Sequence, residues 1–129
     1  MSSGKYSFII EQGTTVQFGI QYLDSNSSPI DLTGYDARMQ IRSNYADQTN
    51  TLYATLSASI DSDGTGLNLH GIYGDQPLTS GSIGVYISAA KTTSMSFDEA
   101  YYDLELYSGS YVTRILEGIV TLREEVTRD

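Results

Sequence analysis

The chain has one histidine, His70, and no cysteine. A nucleophilic triad can always be written around one histidine when serines are abundant, so the residue types alone carry little. His70 follows Leu67-Asn68-Leu69 and precedes Gly71. That context predicts a turn histidine at a strand end. Asp103 and Glu105 have the i, i+2 spacing that puts two carboxylates on one face of a strand, the pair a glycan hydrolase would need. Their expected neighbours are polar residues on an open sheet, not a cleft. Asp61-Ser62-Asp63-Gly64-Thr65-Gly66 begins like a calcium loop. However, the twelfth position, where such a loop needs an acid, is Ile72. The default reading is an Asp/Gly β-turn, with a looser calcium site at Asp61 and Asp63 left open. No GxxxxGK[ST] or GxGxxG run is present, and Gly64-Thr65-Gly66 reads as a turn. No catalytic residue, cofactor site or metal centre is therefore expected, and an enzyme is not.

The elements that would position these groups are strands. Val16, Phe18, Ile20 and Tyr22 alternate with polar residues or glycine, as do Ala37, Met39 and Ile41, then Ile83, Val85 and Ile87. Leu52, Ala54, Leu56, Ala58 and Ile60 share one parity, and so do Tyr102, Leu104 and Leu106. Period-two alternation predicts antiparallel strands with one face on a core and one in water. The pattern places strands near 6–11, 15–23, 35–43, 52–60, 66–70, 82–89, 100–107 and 111–124. Polar turns separate them at Asp24–Pro29, Asp31–Gly34, Asp61–Gly64 and Ser108–Ser110. The last of these is short enough for a hairpin. Ser43 to Thr51 reads as a longer polar connection, and Ala89 to Met95 as a single helical turn. In the last strand Val112, Leu116, Val120 and Leu122 share parity, whereas Ile115 and Ile119 fall on the other. A bulge or bend at Gly118 would switch the buried face. Alternatively, Ile115 and Ile119 lie on a second buried face, at a subunit contact or under a loop.

At 129 residues the chain fits one domain, 1–129, with no repeat. Eleven tyrosines offset a modest apolar content and suit both half-buried sheet positions and protein interfaces. The net charge of −9 argues against nucleic acid and anionic lipid as partners. No stretch approaches the length of a membrane span, so membrane insertion is not expected. The first residues do not read as a signal peptide, and the absence of cysteine agrees with a cytoplasmic product. Arg114, Arg123 and Arg128 cluster in sequence beside Glu117, Glu124 and Glu125, where they could pair across strands or anchor the tail to a neighbour.

Three stretches carry a resemblance. Tyr101-Tyr102-Asp103-Leu104-Glu105-Leu106, then Val112 to Leu122, then Glu125-Val126-Thr127-Arg128 resemble the closing pattern of small phage and prophage virion structural proteins. Asp31 to Arg42 is similar to their first long strand, and Ile87-Ser88-Ala89 to a strand end. The resemblance covers most of the chain after about residue 14, and its C-terminal run is the most specific part. It implies an all-β, immunoglobulin-like antiparallel sandwich of seven or eight strands, of the kind found in tail, baseplate and fibre modules. It also implies a non-enzymatic part of a bacteriophage particle, made in the host cytoplasm and placed in the virion.

The expected partners are other phage structural proteins, such as tail, baseplate, fibre or capsid subunits. Homo-oligomerisation is left open. With no long region for a fibre stalk or receptor-binding head, an adaptor role is expected. A capsid decoration protein, or a host-surface carbohydrate-binding module using Tyr101, Tyr107 and Tyr111, are the alternatives. The segment Ser2 to Glu11 either forms a first edge strand of its own domain or reaches onto a neighbour through Phe8, Ile9 and Ile10. Candidate interface residues are therefore Phe8, Ile9, Ile10, Tyr101, Tyr107, Tyr111, Ile115 and Ile119.

Overall fold

The computed structural model describes residues 4–43 and 51–126. Ser2, Arg128 and the middle of the Ser43–Thr51 connection lie outside these residues. The described strands are β1 (Gly4–Lys5), β2 (Phe8–Glu11), β3 (Val16–Gln21), β4 (Asp36–Arg42), β5 (Leu52–Ser57), β6 (Gly66–Asn68), β7 (Ser82–Ile87), β8 (Glu99–Ser108) and β9 (Tyr111–Arg123). One short helix, α1 (Ala89–Thr93), and a 3-10 turn at Leu78–Ser80 complete them. The strands form a β-sandwich. The large sheet runs β1-β9-β8-β4-β5, with β2 continuing β1 along the same side of β9, and the small sheet runs β3-β7-β6.

Alternation produces this directly. On β8, Ala100, Tyr102, Leu104 and Leu106 are buried while the residues between them face outward. Ala37, Met39 and Ile41 do the same on β4, and Ile83, Val85 and Ile87 on β7. Their side chains merge into one core that both sheets share. Each fully buried Leu or Ile contributes about 1.5–3 kcal/mol of transfer free energy. The β8–β9 hairpin closes at Ser108 opposite Tyr111, with Gly109 in the left-handed region at φ 58°. Helix α1 starts where expected, because the Ser88 side chain accepts the Lys91 N–H at 3.2 Å as an N-cap.

The register departs from simple alternation at two bulges. On β9, Leu104 pairs with Leu116 but Glu105 pairs with Arg114, so Ile115 is the extra residue. The expected bulge thus exists, but three residues before Gly118. It lets Ile115 turn inward to 7% exposure, while Val120 and Leu122 stay buried beyond it. On β5, Ile41 pairs with Ala54 but Arg42 pairs with Leu52, so Tyr53 is extra. Leu52 consequently faces outward, against the single parity expected for this strand, and Tyr53 packs on Phe97 with ring centroids 4.6 Å apart. Strand β6 ends at Asn68 rather than at 70. There the Asn68 side chain accepts the His70 N–H, and its carbonyl accepts the Gly71 N–H.

The N-terminal segment runs parallel to β9, unlike its antiparallel neighbours: Gly4 pairs with Leu116 and Phe8 with Val120. Of the two readings of Ser2–Glu11, the described part is an edge strand of its own domain, and Ile10 is fully buried. The ladder breaks at Tyr6-Ser7. The Ile119 N–H donates to the Ser7 hydroxyl at 3.1 Å, and the Tyr6 carbonyl accepts from Tyr102 instead. Gly118 permits this, since a Cβ there would overlap the Tyr6 carbonyl.

Candidate interaction face

Outward residues of the large sheet lie in rows set by the register. One row is Arg38, Glu105 and Arg114. The next is Gln40, Asp103, Glu117 and Lys5. On one side of these rows stand Tyr107 and Val112, and on the other Arg42, Tyr101 and Ile119, then Ile9 beside Thr121. Arg38 Nε donates to Glu105 at 2.8 Å. Arg114 lies 3.2 Å from Asp103 and 3.8 Å from both Glu105 and Glu117. Lys5 pairs with Glu117 at 2.5 Å. The Arg38 guanidinium also covers the Tyr107 ring, 4.7 Å from its centroid.

The field within this patch is uneven. Burial pushes the Asp103 carboxyl above its usual value, with Glu105 and Glu117 adding to the rise and Arg114 opposing it. The hydrogen bond to Glu105 raises Arg38 further. Burial raises the Tyr107 phenol, helped by the charge of Asp36 and a hydrogen bond to it. Because the pairs are partly exposed, each adds at most about 1 kcal/mol of stability. Their main effect is to hold long side chains in one arrangement across a broad sheet.

Charge is segregated in the same way. Five of the seven bases (Lys5, Arg38, Arg42, Arg114 and Arg123) belong to the outward positions of this sheet, with six acids (Glu11, Asp36, Glu99, Asp103, Glu105 and Glu117). The face therefore carries −1, and the rest of the chain −8 of the total −9. An extended, ion-paired surface with apolar and aromatic borders can meet another protein with little electrostatic penalty.

The residues singled out by sequence divide between surface and core. Ile9 and Ile119 are on this face, as are Tyr101 and Tyr107. Phe8, Ile10 and Ile115 are core side chains. Phe8 packs on Phe18 and Tyr102, each ring 5.1 Å away. They support the sandwich from within and do not stand on this outer face. Tyr111 is well exposed, but it pairs with Ser108 at the hairpin tip rather than joining Tyr101 and Tyr107. Tyr101 and Tyr107 are themselves about 20 Å apart at strand spacing, so the three do not form one aromatic platform. Asp103 and Glu105 share a face as expected, and both are engaged by arginine.

The other candidates lie away from the sheet. The Asp63 oxygens accept the Thr65 N–H and the Ser88 hydroxyl, which hold its carboxyl below the usual range. Asp61 pairs with Lys91 at 3.3 Å. Among the described residues no three His, Cys, Asp or Glu gather as metal ligands. His70 sits in the exposed loop after β6, its Nδ1 2.9 Å from the Gln76 carbonyl.

The organising role of Arg38 and Arg114 is the feature that sequence reading missed. The cross-strand pairing open to Arg114 and Arg123 does occur: Arg114 reaches the β8 acids as well as Glu117, while Arg123 faces Glu11 at 3.4 Å. Only the cross-strand register brings these groups together, and no spacing along the chain encodes it. In comparisons with known proteins, the chain matches no protein-family model and no curated protein sequence.

Proposed function

We propose that this chain is a non-enzymatic structural protein of a bacteriophage particle, an immunoglobulin-like sandwich that acts as an adaptor between neighbouring virion subunits. The observation that carries this reading is the ion-paired outer face of the large sheet. It is close to neutral on a molecule of net charge −9 and is bordered by Ile9, Ile119, Tyr101 and Val112. The segments that resemble virion proteins, Tyr101–Leu106 and Val112–Leu122, lie within β8 and β9, two of the strands that build this face. A sheet face of this kind recognises a protein surface by complementary charge and by its apolar border.

Mass spectrometry of gradient-purified particles, followed by a density map of the intact virion, tests the proposal. The expected result is a fixed copy number per particle, with the β4-β8-β9 face against another subunit. Copy number also places the protein: hundreds indicate head or tail-tube surface, a few to a few tens indicate baseplate or neck. Absence from mature particles would overturn the reading.

A further inference from the structure

The sandwich is not equally closed at its two sides. At one side the connection after β5 seals the seam, where Gly66 sits against the Ser57 carbonyl and Ile60. At the other, β3 ends the small sheet, with no strand beyond it among the described residues. Two clefts flank it there. One, of about 410 Å³, lies between Tyr6–Glu11 and Thr14–Phe18. The other, of about 350 Å³, lies between Ile20–Leu23 and Thr113–Leu116. Phe18, Ile20 and Tyr22 are consequently only partly buried.

The backbone of β3 specifies what this edge can pair with. Tyr22 N–H donates to Gly81 at 2.8 Å, continuing the register in which Gln21 faces Ser82 and Ile20 faces Ile83. Alternate residues of an antiparallel strand bond to the same neighbour. Val16, Phe18 and Ile20 therefore bond toward β7, and the N–H and C=O groups of Gln17, Gly19 and Gln21 point to the open side. Natural edges are normally blunted by charge, proline or a bulge. None protects β3: Gln12 through Leu23 contains no charged residue and no proline, on a chain of net charge −9.

The edge also matches itself. Around Gly19 the sequence reads Gln17-Phe18-Gly19-Ile20-Gln21. Laid antiparallel on its own copy about that glycine, Gln17 faces Gln21, Phe18 faces Ile20, Val16 faces Tyr22 and Gly19 faces Gly19. The three residues with free backbone groups meet three residues with free backbone groups, and apolar meets apolar along the open clefts.

We propose that β3 is a self-association edge, which joins two copies of this chain about a two-fold axis at Gly19. The small sheets then become one continuous six-stranded sheet. The uncharged segment is where two strongly acidic molecules can approach with least repulsion. Association should therefore tighten as salt screens the remaining charge. This inference does not rest on the virion reading and stands or falls separately from it.

Sedimentation equilibrium of the full chain at low and high salt tests it. The expected result is a monomer–dimer equilibrium that shifts toward dimer at high salt. The double variant Gln17→Glu/Gln21→Glu places like charges opposite each other twice, and should weaken dimerisation about tenfold. Gln17→Lys/Gln21→Glu, which keeps the net charge and places opposite charges together, should retain it. A control with Ser25→Glu and Ser62→Glu has the same added charge in exposed loops and separates edge contact from general repulsion. Circular dichroism and the thermal midpoint verify that each variant is folded. A monomer under all conditions overturns the proposal and leaves the edge to a strand from a different polypeptide. A dimer unaffected by Gln17→Glu/Gln21→Glu overturns it as well.

Discussion

The hydroxyl of Tyr102 donates to the main-chain carbonyl of Tyr6 at 2.5 Å, across the space that Gly118 leaves empty. Residues 6, 102 and 118 come from three different strands or their connections, and this contact fastens the N-terminal segment to the centre of the large sheet. It replaces the ladder bond that β9 would otherwise supply, while Ser7 serves the Ile119 N–H left behind.

Tyr102→Phe should therefore cost about 1–2 kcal/mol, since it keeps the ring in the core but leaves the Tyr6 carbonyl without its donor. Gly118→Ala should cost at least about 2 kcal/mol, because the new methyl collides with main chain rather than a movable side chain. Urea unfolding measures both. Hydrogen exchange adds a specific readout: the Ile119 amide should lose protection in Gly118→Ala. Normal stability and protection in that variant would refute the contact.

The parallel pairing of β2 separates two adjacent isoleucines. Ile10 points into the core with no exposed surface, whereas Ile9 is 53% exposed on the outer face. Ile10→Ala should destabilise the chain by about 2–5 kcal/mol through lost burial and a cavity. Ile9→Ala should stay within about 0.5 kcal/mol. Similar effects from the two would mean that the segment is not seated as described. Removing residues 1–11 should, for the same reason, compromise folding and not merely delete a docking arm.

Two carboxylates should give opposite dependences on pH. The folded-state value of Asp103 is raised, so the folded chain holds that proton more tightly than the unfolded chain. Its contribution to stability falls as pH rises through the folded value. Asp103→Asn should then match or exceed the parent at neutral pH and gain nothing well below pH 3.8. Asp63 is lowered by the Thr65 and Ser88 hydrogen bonds, so its stabilisation is present above 3.8 and is lost as pH falls through the folded value. Asp63→Asn should be less stable than the parent at neutral pH, and the gap should close in acid. Thermal midpoints across this range check both signs, and parallel curves for the two variants would contradict the assignment.

Sequence alone determined the features that depend on near neighbours along the chain. Period-two runs such as Ala37-Met39-Ile41 and Tyr102-Leu104-Leu106 identify strands and their buried faces, because side chains alternate on any extended backbone. The turn at Gly109 and the helical turn beginning at Ala89 are readable for the same local reason. The tertiary structure decided which strands became neighbours, and with that the parallel seat of the N-terminal segment, the bulges at Ile115 and Tyr53, and the gathering of three acids around Arg114. It also gave Gly19 and Gly84 a role that alternation hides: they pair across β3 and β7, and Ile72 packs over both. These are relations between segments far apart in the chain. Each is set by how close two backbones must pass and which edge remains unpaired, and neither quantity exists until the sheets have packed.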